Sequence, residues 1–402
     1  MEPALVLFDD RTARDWAPFA LTRPAGELLF GALRLVERVE RVFGLPCLGH
    51  LTAAHLADFV EPDARPVLDP AALPDDRDLI LWCARAIPAS ATAARRASAG
   101  ALYRVGGRVA GLRLPAGERP GTAFLDDLAA PEPGETIEIE GRWLDRVWEL
   151  MLQSPEQAAR DLETPGGTSP DALPDGVYAR GDHPLFLAED VALEPPVLFD
   201  LRSGPIRLEA GVEVRSGTRL AGPARVGPRS RLLGGSFDAI VTGPFSYLRG
   251  EVHHSVVLGY CNKSHDGYLG HAYLGRWVNL GALTTNSDLK NNYHPVRLWT
   301  PSGVRDTGEL KVGCFLGDHV KTGIGLMINT GTVVGAGSNL YGTVMPPKYV
   351  PPFSWGEGES LGPHLLEAFL DSAGRAMSRR GIELDERGRR HLERCWGVGR
   401  GE

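Results

Sequence analysis

The densest run of polar and ionisable side chains in this 402-residue chain lies between Arg249 and Asn292. An imidazole can take a proton from an amine or a hydroxyl at physiological pH, so His265 is the candidate general base, and Asp266 could orient it. Asn279 could donate a hydrogen bond to a developing oxyanion. Lysine and arginine are the residue types that grip phosphate groups. The clustering predicts a functional site whose remaining, substrate-binding members are Arg249, Lys263, Tyr268, Asn286 and Lys290.

Each of these residues also has an ordinary structural interpretation. A histidine in a turn can cap backbone groups, and asparagines can bridge neighbouring turns. Single lysines are commonly solvated on a protein surface. Residue types alone therefore leave both interpretations open, and the elements that carry the residues must decide.

A six-residue repeat has to position these side chains. Period six matches neither the period of two of a strand nor the 3.6 of an α-helix, but it fits short strands that each turn one aliphatic residue inward. Such a fixed repeat marks a parallel β-helix, and coincidental spacing in a β-sandwich is the alternative. The narrow core of a β-helix holds aliphatics, so the polar side chains must point outward. The repeat runs through Leu208, Val214, Leu220, Val226 and Leu232, resumes at Leu274 and Leu280, and returns at Leu316, Thr322, Ile328, Val334 and Leu340.

The rest of the chain divides around this repeat. Residues 1–165 alternate strand-like and helical patterns, which predicts an α/β domain with a partly parallel sheet. A linker near 163–176 leads to the β-helix over 177–350, and residues 351–402 form a helical extension. The polar arm 288–310 interrupts the repeat, and such insertions map to loops, often on the binding face. The elements predicted in the first domain are strands Ala4–Phe8 and Leu79–Trp82, helices Glu27–Val42 and Trp143–Leu162, and a hairpin over Ala101–Leu114.

The C-terminal extension carries one apolar stripe with helical spacing, within a tail that is predicted to be helical from Leu361 to Trp396. We expect this stripe to pack against the last coil of the β-helix or against a neighbouring subunit. The stripe consists of Leu365, Leu366, Phe369, Leu370, Ala373 and Met377.

Composition narrows the class of protein. The net charge is −8, from 43 basic and 51 acidic residues without a basic block, so nucleic acid and anionic membranes are not expected partners. The five cysteines form no CxxC pair, which predicts reduced thiols in a cytoplasm. The N-terminus shows no signal-peptide pattern, and no apolar run approaches the roughly 20 residues that span a bilayer. We therefore expect a cytoplasmic protein.

At the polar run the chain resembles a known family. The repeats and HDGYLGHAYLGRWVNLGALTTN resemble the acetyltransferase half of the bifunctional N-acetylglucosamine-1-phosphate uridyltransferase/glucosamine-1-phosphate acetyltransferase. A closer resemblance is to GlmU-related sugar nucleotidyltransferases, and it covers nearly the whole chain. It implies a degenerate nucleotidyltransferase-like α/β domain, then a left-handed parallel β-helix that forms a homotrimer, with acyl-CoA and a sugar phosphate meeting at a subunit boundary. The other motifs that carry it are GYCNKSHDGYLG, NLGALTTNSDLKNNY, NTGTVVG, VPPFSWG and LFDDRTARDWAPFALTRP.

The resemblance also implies roles for individual residues. The base histidine of the family falls on His265, and its tyrosine falls on Tyr268. An asparagine of the family falls on Asn279, and a second one matches Asn286 after a shift of two residues. The family lysine one coil earlier falls near His253, so the sequence leaves Arg249 or Lys263 to bind the phosphate.

The front of the chain departs from the phosphate-binding loop of sugar nucleotidyltransferases. Pro18–Pro24 keeps the second half of that loop, but Asp9–Ala13 stands where glycines would let backbone N–H groups approach a triphosphate. The segment Cys83–Pro88 contains no carboxylate for Mg²⁺, which is expected only if this domain is active. The cations that could still bind a nucleotide sugar are Arg11, Arg14 and Arg23.

Together these features predict an acyl-CoA-dependent transferase that uses acetyl-CoA to acylate an amino or hydroxyl group of a sugar phosphate or nucleotide sugar. Three alternatives stay open: a sugar-1-phosphate nucleotidyltransferase of the UDP-sugar pyrophosphorylase type, a non-catalytic scaffold that binds nucleotide sugars, and a β-helix metalloenzyme of the carbonic-anhydrase type. The imidazoles available for a metal in the last alternative are those of His253, His254, His265 and His271.

Overall fold

A six-stranded mixed sheet forms the core of the N-terminal α/β domain in the computed structural model, which describes residues 2–90, 97–129, 135–163 and 173–401. Ala4–Phe8 is the second strand from one edge and pairs in parallel with Cys47–Leu51 on one side and Leu79–Cys83 on the other. The next neighbour, Arg108–Leu114, runs antiparallel to Leu79–Cys83. From edge to edge the strands are Cys47–Leu51, Ala4–Phe8, Leu79–Cys83, Arg108–Leu114, Leu102–Val105 and Thr136–Glu138.

The remaining elements of this domain cover the sheet. Two small antiparallel pairs, Leu29–Phe30 with Leu33–Arg34 and Ala86–Pro88 with Gly141–Trp143, lie beside it. The helices are Arg11–Arg14, Leu35–Phe43, Thr122–Asp127, Glu149–Leu152 and Ser154–Glu163, with 3₁₀ turns at Ala25–Glu27, Ala54–Leu56 and Pro70–Ala72.

Two of the predicted helices differ from the structure for local reasons. The helix expected over Glu27–Val42 begins only at Leu35, because Gly31 has a φ of +63° and turns the small hairpin before it. The helix expected over Trp143–Leu162 is two helices, and Pro155, which lacks a backbone N–H, lies at the start of the second. The predicted strands and the hairpin around Gly106 are confirmed. Most of the predicted linker lies outside the described residues.

The predicted β-helix is present, with three short strands in each full coil. Ile206–Leu208 pairs in parallel with Ala224–Val226, eighteen residues further along the chain, which is three hexads. The aliphatic residues of the repeat are buried in one continuous core cluster. The strands are Val177–Arg180, Leu185–Leu187, Ala192–Leu193, Val197–Asp200, Ile206–Leu208, Glu213–Val214, Thr218–Ala221, Ala224–Val226, Arg231–Thr242, Tyr247–Val257, Asn262–Lys263, Tyr268–Gly270, Tyr273–Leu274, Asn279–Leu280, Thr285–Asn286, Cys314–Leu316, Lys321–Thr322, Met327–Ile328, Thr332–Val334, Asn339–Leu340, Tyr349–Val350 and Ser354–Glu357.

The polar arm is an insertion within one coil. Tyr273 pairs with Phe315, so the two paired residues are 42 positions apart instead of 18. The inserted residues form an antiparallel hairpin of Arg297–Thr300 and Gly303–Asp306. The coil resumes afterwards in register, which places Lys321 directly beside Asn279 on the neighbouring coil.

The C-terminal extension is mainly helical over Leu361–Trp396, as predicted, and it is built of two helices. Strand Ser360–Pro363 precedes two helices, Leu366–Ser378 and Glu386–Arg400, and Gly381, with a φ of +71°, lies in the turn between them. Within the predicted stripe Phe369, Leu370 and Ala373 are buried, whereas Leu365 is 65% exposed. The stripe packs against Phe353 of the last coil, as expected, and also against residues of the N-terminal domain, Leu56 and Phe59.

Two further expectations concern redox state and membranes. The five cysteines are free and buried, in agreement with the predicted reduced thiols. Within the described residues, no helix has both the length and the apolar character that crossing a membrane requires.

Candidate active site

A groove of about 600 Å³ lies between one outer face of the β-helix and the helix Leu366–Ser378. Its two predicted catalytic residues, His265 and Asn279, come from neighbouring coils. Tyr260 and Trp277 stack at a ring-centroid distance of 4.3 Å and form a flat apolar part of the wall. The complete lining is Tyr247, Tyr260, Asn262, Ser264, His265, Trp277, Val278, Asn279, Lys321, Arg375, Ala376, Arg379 and Arg380.

Register on the β-helix brings three of these side chains into one column. Asn262, Asn279 and Lys321 are directly paired on successive coils. Their chain neighbours Val278 and Leu280 are buried in the core, so the alternation of a strand turns the column outward. The Asn262 Nδ2 donates to Asn279 Oδ1 at 2.9 Å, which leaves the Asn279 amide N–H groups available to a ligand.

His265 lies in the turn after the strand Asn262–Lys263, with its ring exposed to the groove. Within the part of the chain that the structure describes, the ring makes no hydrogen bond. Asp266 does not orient it, because that carboxylate accepts from Arg249 Nε at 3.2 Å. The turn is held from inside by Lys263, whose ammonium donates to the carbonyl oxygens of His265 at 3.0 Å and Arg249 at 2.7 Å.

The cations predicted to bind phosphate lie outside the groove. Burial lowers the pKa of Lys263 to about 8, and its ammonium binds two carbonyl oxygens. Arg249 donates to Asp266 and to the carbonyl oxygen of Leu233 at 2.9 Å. Lys290 donates to the carbonyl oxygen of Pro295 at 2.6 Å, at the base of the arm. Each of these three cations therefore stabilises a local turn or the arm.

Tyr268 and Asn286 also lie apart from His265 and serve neighbouring coils. The Tyr268 hydroxyl donates to Asp288 Oδ2 at 2.7 Å. The Asn286 amide bridges Gly270, since its Oδ1 accepts from the Gly270 N–H and its Nδ2 donates to the Gly270 carbonyl oxygen, both at 2.9 Å. Asn286 is thus a ladder asparagine in this structure, the ordinary interpretation of its residue type.

Three of the four histidines considered as metal ligands do come together. The rings of His254 and His271 stack at 4.5 Å with an interplanar angle of 15°, and His253 lies 5.4 Å from His271. His271 Nδ1 is bonded to Asp288 at 2.7 Å, and His254 Nε2 lies 3.1 Å from the carbonyl oxygen of Leu152. One ring nitrogen of His254 and one of His271 are therefore already in hydrogen bonds to the protein. Among the described residues, no group of three or more His, Cys, Asp or Glu is arranged to hold a metal.

The residues that sequence reasoning missed are the cations of the groove, Lys321, Arg375, Arg379 and Arg380. Lys321 was not predicted because its neighbour on the adjacent coil is 42 positions away, across the arm. The arginines lie at the end of the helix Leu366–Ser378, and a local pattern does not say which surface that helix covers. A signal for Lys321 exists: it directly precedes the inward Thr322, as Asn279 precedes the inward Leu280.

The front of the chain holds its cations in ion pairs. Arg11 pairs with Asp127 at 3.0 Å, and Arg14 pairs with Asp126. Arg23 is fully buried. Its Nη1 and Nη2 donate to the Glu61 carboxylate at 2.7 and 2.8 Å, and its Nε and Nη2 donate to Asp318 Oδ2 at 3.0 and 2.7 Å.

The carboxylates of Asp9 and Asp10, directly after the first strand, are not arranged to bind a Mg²⁺ ion. Asp10 is bonded to Arg85 through both oxygens and also accepts from the backbone N–H of Ala13. Asp9 Oδ2 accepts from Thr52 and Ala25, and burial raises the pKa of this carboxyl group. Asp9 Oδ1 is buried without a partner, but one orphaned oxygen cannot replace the several ligands that Mg²⁺ requires.

Comparison with known proteins finds a family match at the front of the chain and partial similarity to two bifunctional proteins. Residues 5–166 match the family model described as sugar nucleotidyl transferase. A bifunctional sugar-1-phosphate nucleotidylyltransferase/acetyltransferase of Sulfurisphaera tokodaii is 30% identical over 152 residues, which cover 34% of this chain and 35% of the relative. The bifunctional protein GlmU of Methanococcus vannielii is 28% identical over 110 residues, which cover 24% of this chain and 26% of the relative.

The matched segments thus span about a third and about a quarter of the lengths of these two relatives. A solved structure of a candidate acetyltransferase from Bacillus cereus matches 56% of this chain and 97% of its own, with 11% identity and a TM-score of 0.22. Residues 5–166 are thus similar to sugar nucleotidyl transferases, and part of the chain is similar to a bifunctional sugar-1-phosphate nucleotidylyltransferase/acetyltransferase.

Proposed function

We propose that this chain is an acyl-CoA-dependent acyltransferase, with acetyl-CoA as donor and the amino or hydroxyl group of a sugar phosphate or nucleotide sugar as acceptor. The observation that supports this most is the groove shared by His265 and Asn279, which combines a free imidazole with an available amide. The relative from Sulfurisphaera tokodaii, a bifunctional sugar-1-phosphate nucleotidylyltransferase/acetyltransferase, agrees with it. The acceptor, the acyl group and the use of acetyl-CoA belong to the proposal.

The chemistry assigns one role to each residue. The acceptor nitrogen or oxygen attacks the thioester carbonyl, and its proton moves to the free ring nitrogen of His265. Asn279 donates an amide N–H to the oxyanion of the tetrahedral intermediate. When this intermediate collapses, the C–S bond breaks, and the thiolate leaves with the proton that His265 returns. An amide or ester and free coenzyme A are the products.

Removal of the base tests this proposal directly. With acetyl-CoA and glucosamine 1-phosphate or UDP-glucosamine, His265→Ala should lower kcat by about 100-fold or more, measured as release of free thiol. The matched control is His294→Ala, since this exposed histidine of the arm lies outside the groove lining. A loss below tenfold in His265→Ala would remove His265 from the role of base, and no transfer by the wild type to either acceptor would refute the proposal.

The proposal includes the homotrimer. Several large apolar side chains on successive coils are exposed in the single chain, which supports contact with a second copy of it. They are Leu283, Ile324, Met327, Val344 and Met345, exposed by 45–79%. Sedimentation equilibrium should give three times the mass of the 43.4 kDa chain, and a monomer at micromolar concentration would contradict this part.

The family match over residues 5–166 favours a second candidate, transfer of a nucleotidyl group to a sugar 1-phosphate. The paired arginines and the occupied Asp10 oppose it. Pyrophosphate release from UTP, N-acetylglucosamine 1-phosphate and Mg²⁺ tests this candidate. We expect no release above that of a protein-free control, whereas sustained release would establish it.

A further inference from the structure

The wall of the groove is basic in an acidic protein. Four of its side chains are lysine or arginine, and among the described residues that line it none is Asp or Glu. The whole chain has the opposite balance, 51 acidic against 43 basic residues. A concave surface with one sign of charge concentrates ligands of the other sign. The groove is therefore suited to an anion.

Arg380 is a partly buried cation of the groove whose guanidinium contacts an aromatic ring instead of a carboxylate. Its guanidinium lies 4.0 Å from the centre of the Tyr247 ring, and its Nε is buried without a hydrogen-bond partner. No ion pair holds it within the described residues. Burial lowers the pKa of this guanidinium, and the positive charges of Arg379 and Arg231 lower it further. A planar guanidinium whose N–H groups lack an acceptor can donate hydrogen bonds to the oxygens of a phosphate.

Lys321 lies in the same groove, one coil beyond Asn279 in the outward column. Its ammonium has one weak hydrogen bond, at 3.3 Å to the carbonyl oxygen of Trp277, and burial lowers its pKa to about 8. Arg375, by contrast, is exposed and pairs with Asp371 at 3.0 Å on its own helix. Among the described residues, Arg379 has no ion pair either but is exposed, so Lys321 and Arg380 are the partly buried cations of the groove that have no carboxylate partner.

We infer that Lys321 of the β-helix and Arg380, which follows the helix Leu366–Ser378, together bind a phosphate ester of a substrate in the groove that His265 also lines. This inference deepens the proposed function, because it names the group that positions the substrate. Two substrates could supply such a phosphate: the 3′-phospho-ADP end of the acyl donor or the phosphate of a sugar acceptor. Both residues act by positioning, at a distance from the bonds that form and break.

Binding of small probes to the full chain tests the inference without the reaction. The probes are adenosine 3′,5′-bisphosphate for the donor and glucosamine 1-phosphate for the acceptor, with adenosine and glucosamine as phosphate-free controls. By isothermal titration calorimetry, Lys321→Gln and Arg380→Gln should each weaken binding of one phosphorylated probe by about 10- to 100-fold, which is what loss of a charge-assisted hydrogen bond costs. The probe that loses affinity identifies the source of the phosphate.

Matched variants separate charge from folding. Arg375→Gln removes a cation of the same groove that already has a partner, and it should change the dissociation constant less than threefold. Lys321→Arg keeps the charge and should restore most of the binding lost in Lys321→Gln. The inference is overturned if the wild type binds neither phosphorylated probe, or if both glutamine variants bind them as the wild type does.

Steady-state kinetics distinguish this inference from the proposed function. If both hold, the glutamine variants raise KM for one substrate and leave kcat within about threefold. Probe binding that depends on Lys321 and Arg380, without any acetyl transfer, would refute the acyltransferase and keep the phosphate site. Acetyl transfer with unchanged KM values in both variants would keep the acyltransferase and refute the phosphate site.

Discussion

The loop Asp9–Pro24, which follows the first strand of the N-terminal domain, and the groove of the β-helix both contain cations that could bind phosphate. The two regions differ in whether these cations already have a carboxylate partner. Arg23 of the loop is fully buried and bonded to two carboxylates. Arg380 of the groove is partly buried and has no carboxylate partner in the described part of the chain. A cation that already has its counterion gains little from a ligand, whereas an unpaired one gains a full charge-assisted hydrogen bond.

Arg23 links the N-terminal domain to the β-helix through its ion pairs. Arg23 and Thr22 belong to the part of the loop that still resembles a nucleotidyltransferase, and both donate to Asp318 of the β-helix, Thr22 at 2.6 Å. Burial alone would raise the pKa of Glu61, but Arg23 and Arg276 outweigh burial and lower that pKa to about 2. The loop therefore connects the two domains through charge pairs instead of leaving donors for a triphosphate.

The largest effect on stability is predicted for the substitution that removes these charge pairs. Arg23→Met should lower the free energy of unfolding by about 3–5 kcal/mol, because it leaves the Glu61 and Asp318 carboxylates buried and short of a counterion. Urea denaturation followed by tryptophan fluorescence measures this loss. The triple variant with Glu61→Gln and Asp318→Asn should recover a large part of it. If Arg23→Met costs less than about 1 kcal/mol, the loop is not held by charge pairs and could open for a nucleotide.

Acid should weaken the same region through His391, whose Nε2 lies 3.0 Å from the carbonyl oxygen of Thr22. Burial lowers the pKa of His391 to about 4, below its value of about 6.5 in an unfolded chain. Between these two pH values the unfolded state binds more protons, so stability falls as the pH decreases from 6.5 to 4, by roughly 3 kcal/mol from this residue.

Denaturation curves at several pH values measure this loss. His391→Gln should reduce the slope of stability against pH by about one proton in this window, and His294→Gln, on the exposed arm, should not. An unchanged slope in His391→Gln would show that this imidazole is not held neutral beneath the loop.

Removal of Lys321 from the groove should increase the free energy of unfolding, whereas removal of Arg23 should decrease it. At pH 7 Lys321 is charged and partly buried without a counterion, so Lys321→Met should raise the free energy of unfolding by roughly 1–3 kcal/mol. Its folded-state pKa of about 8 lies below the ordinary value of 10.5, so the wild type gains stability as the pH rises between these values and the advantage of the variant disappears.

Urea denaturation at pH 7 and pH 10 measures both changes, with the exposed Lys311→Met as the control. A loss of stability in Lys321→Met at pH 7 would mean that the protein already stabilises the charge of this ammonium. The groove would then not differ from the loop around Arg23.

Sequence reasoning found what local patterns determine. The inward aliphatics of the β-helix follow from a repeat of six, and residue type and motif predict His265 and Asn279, which both line the groove. Lys321 and Arg380 could not be found in this way, because their position depends on how an inserted arm returns to register and on where the C-terminal helix docks. Nor can residue type show whether a cation has a counterion: Lys263 and Lys321 have the same depressed pKa, but Lys263 binds two carbonyl oxygens inside a turn and Lys321 faces a groove.

The smallest predicted effect concerns Arg11 at the front of the chain. Its pair with Asp127 is exposed on both sides, by 67% and 56% of the side chains, and exposed pairs contribute less than about 1 kcal/mol. Arg11→Ala should therefore change the melting temperature by at most about 2 °C. It should also leave any thermal shift by UDP-N-acetylglucosamine within twofold of the wild type. A loss of that shift in Arg11→Ala would show that the pair opens to bind the nucleotide sugar, because a surface pair that serves stability alone does not affect a ligand.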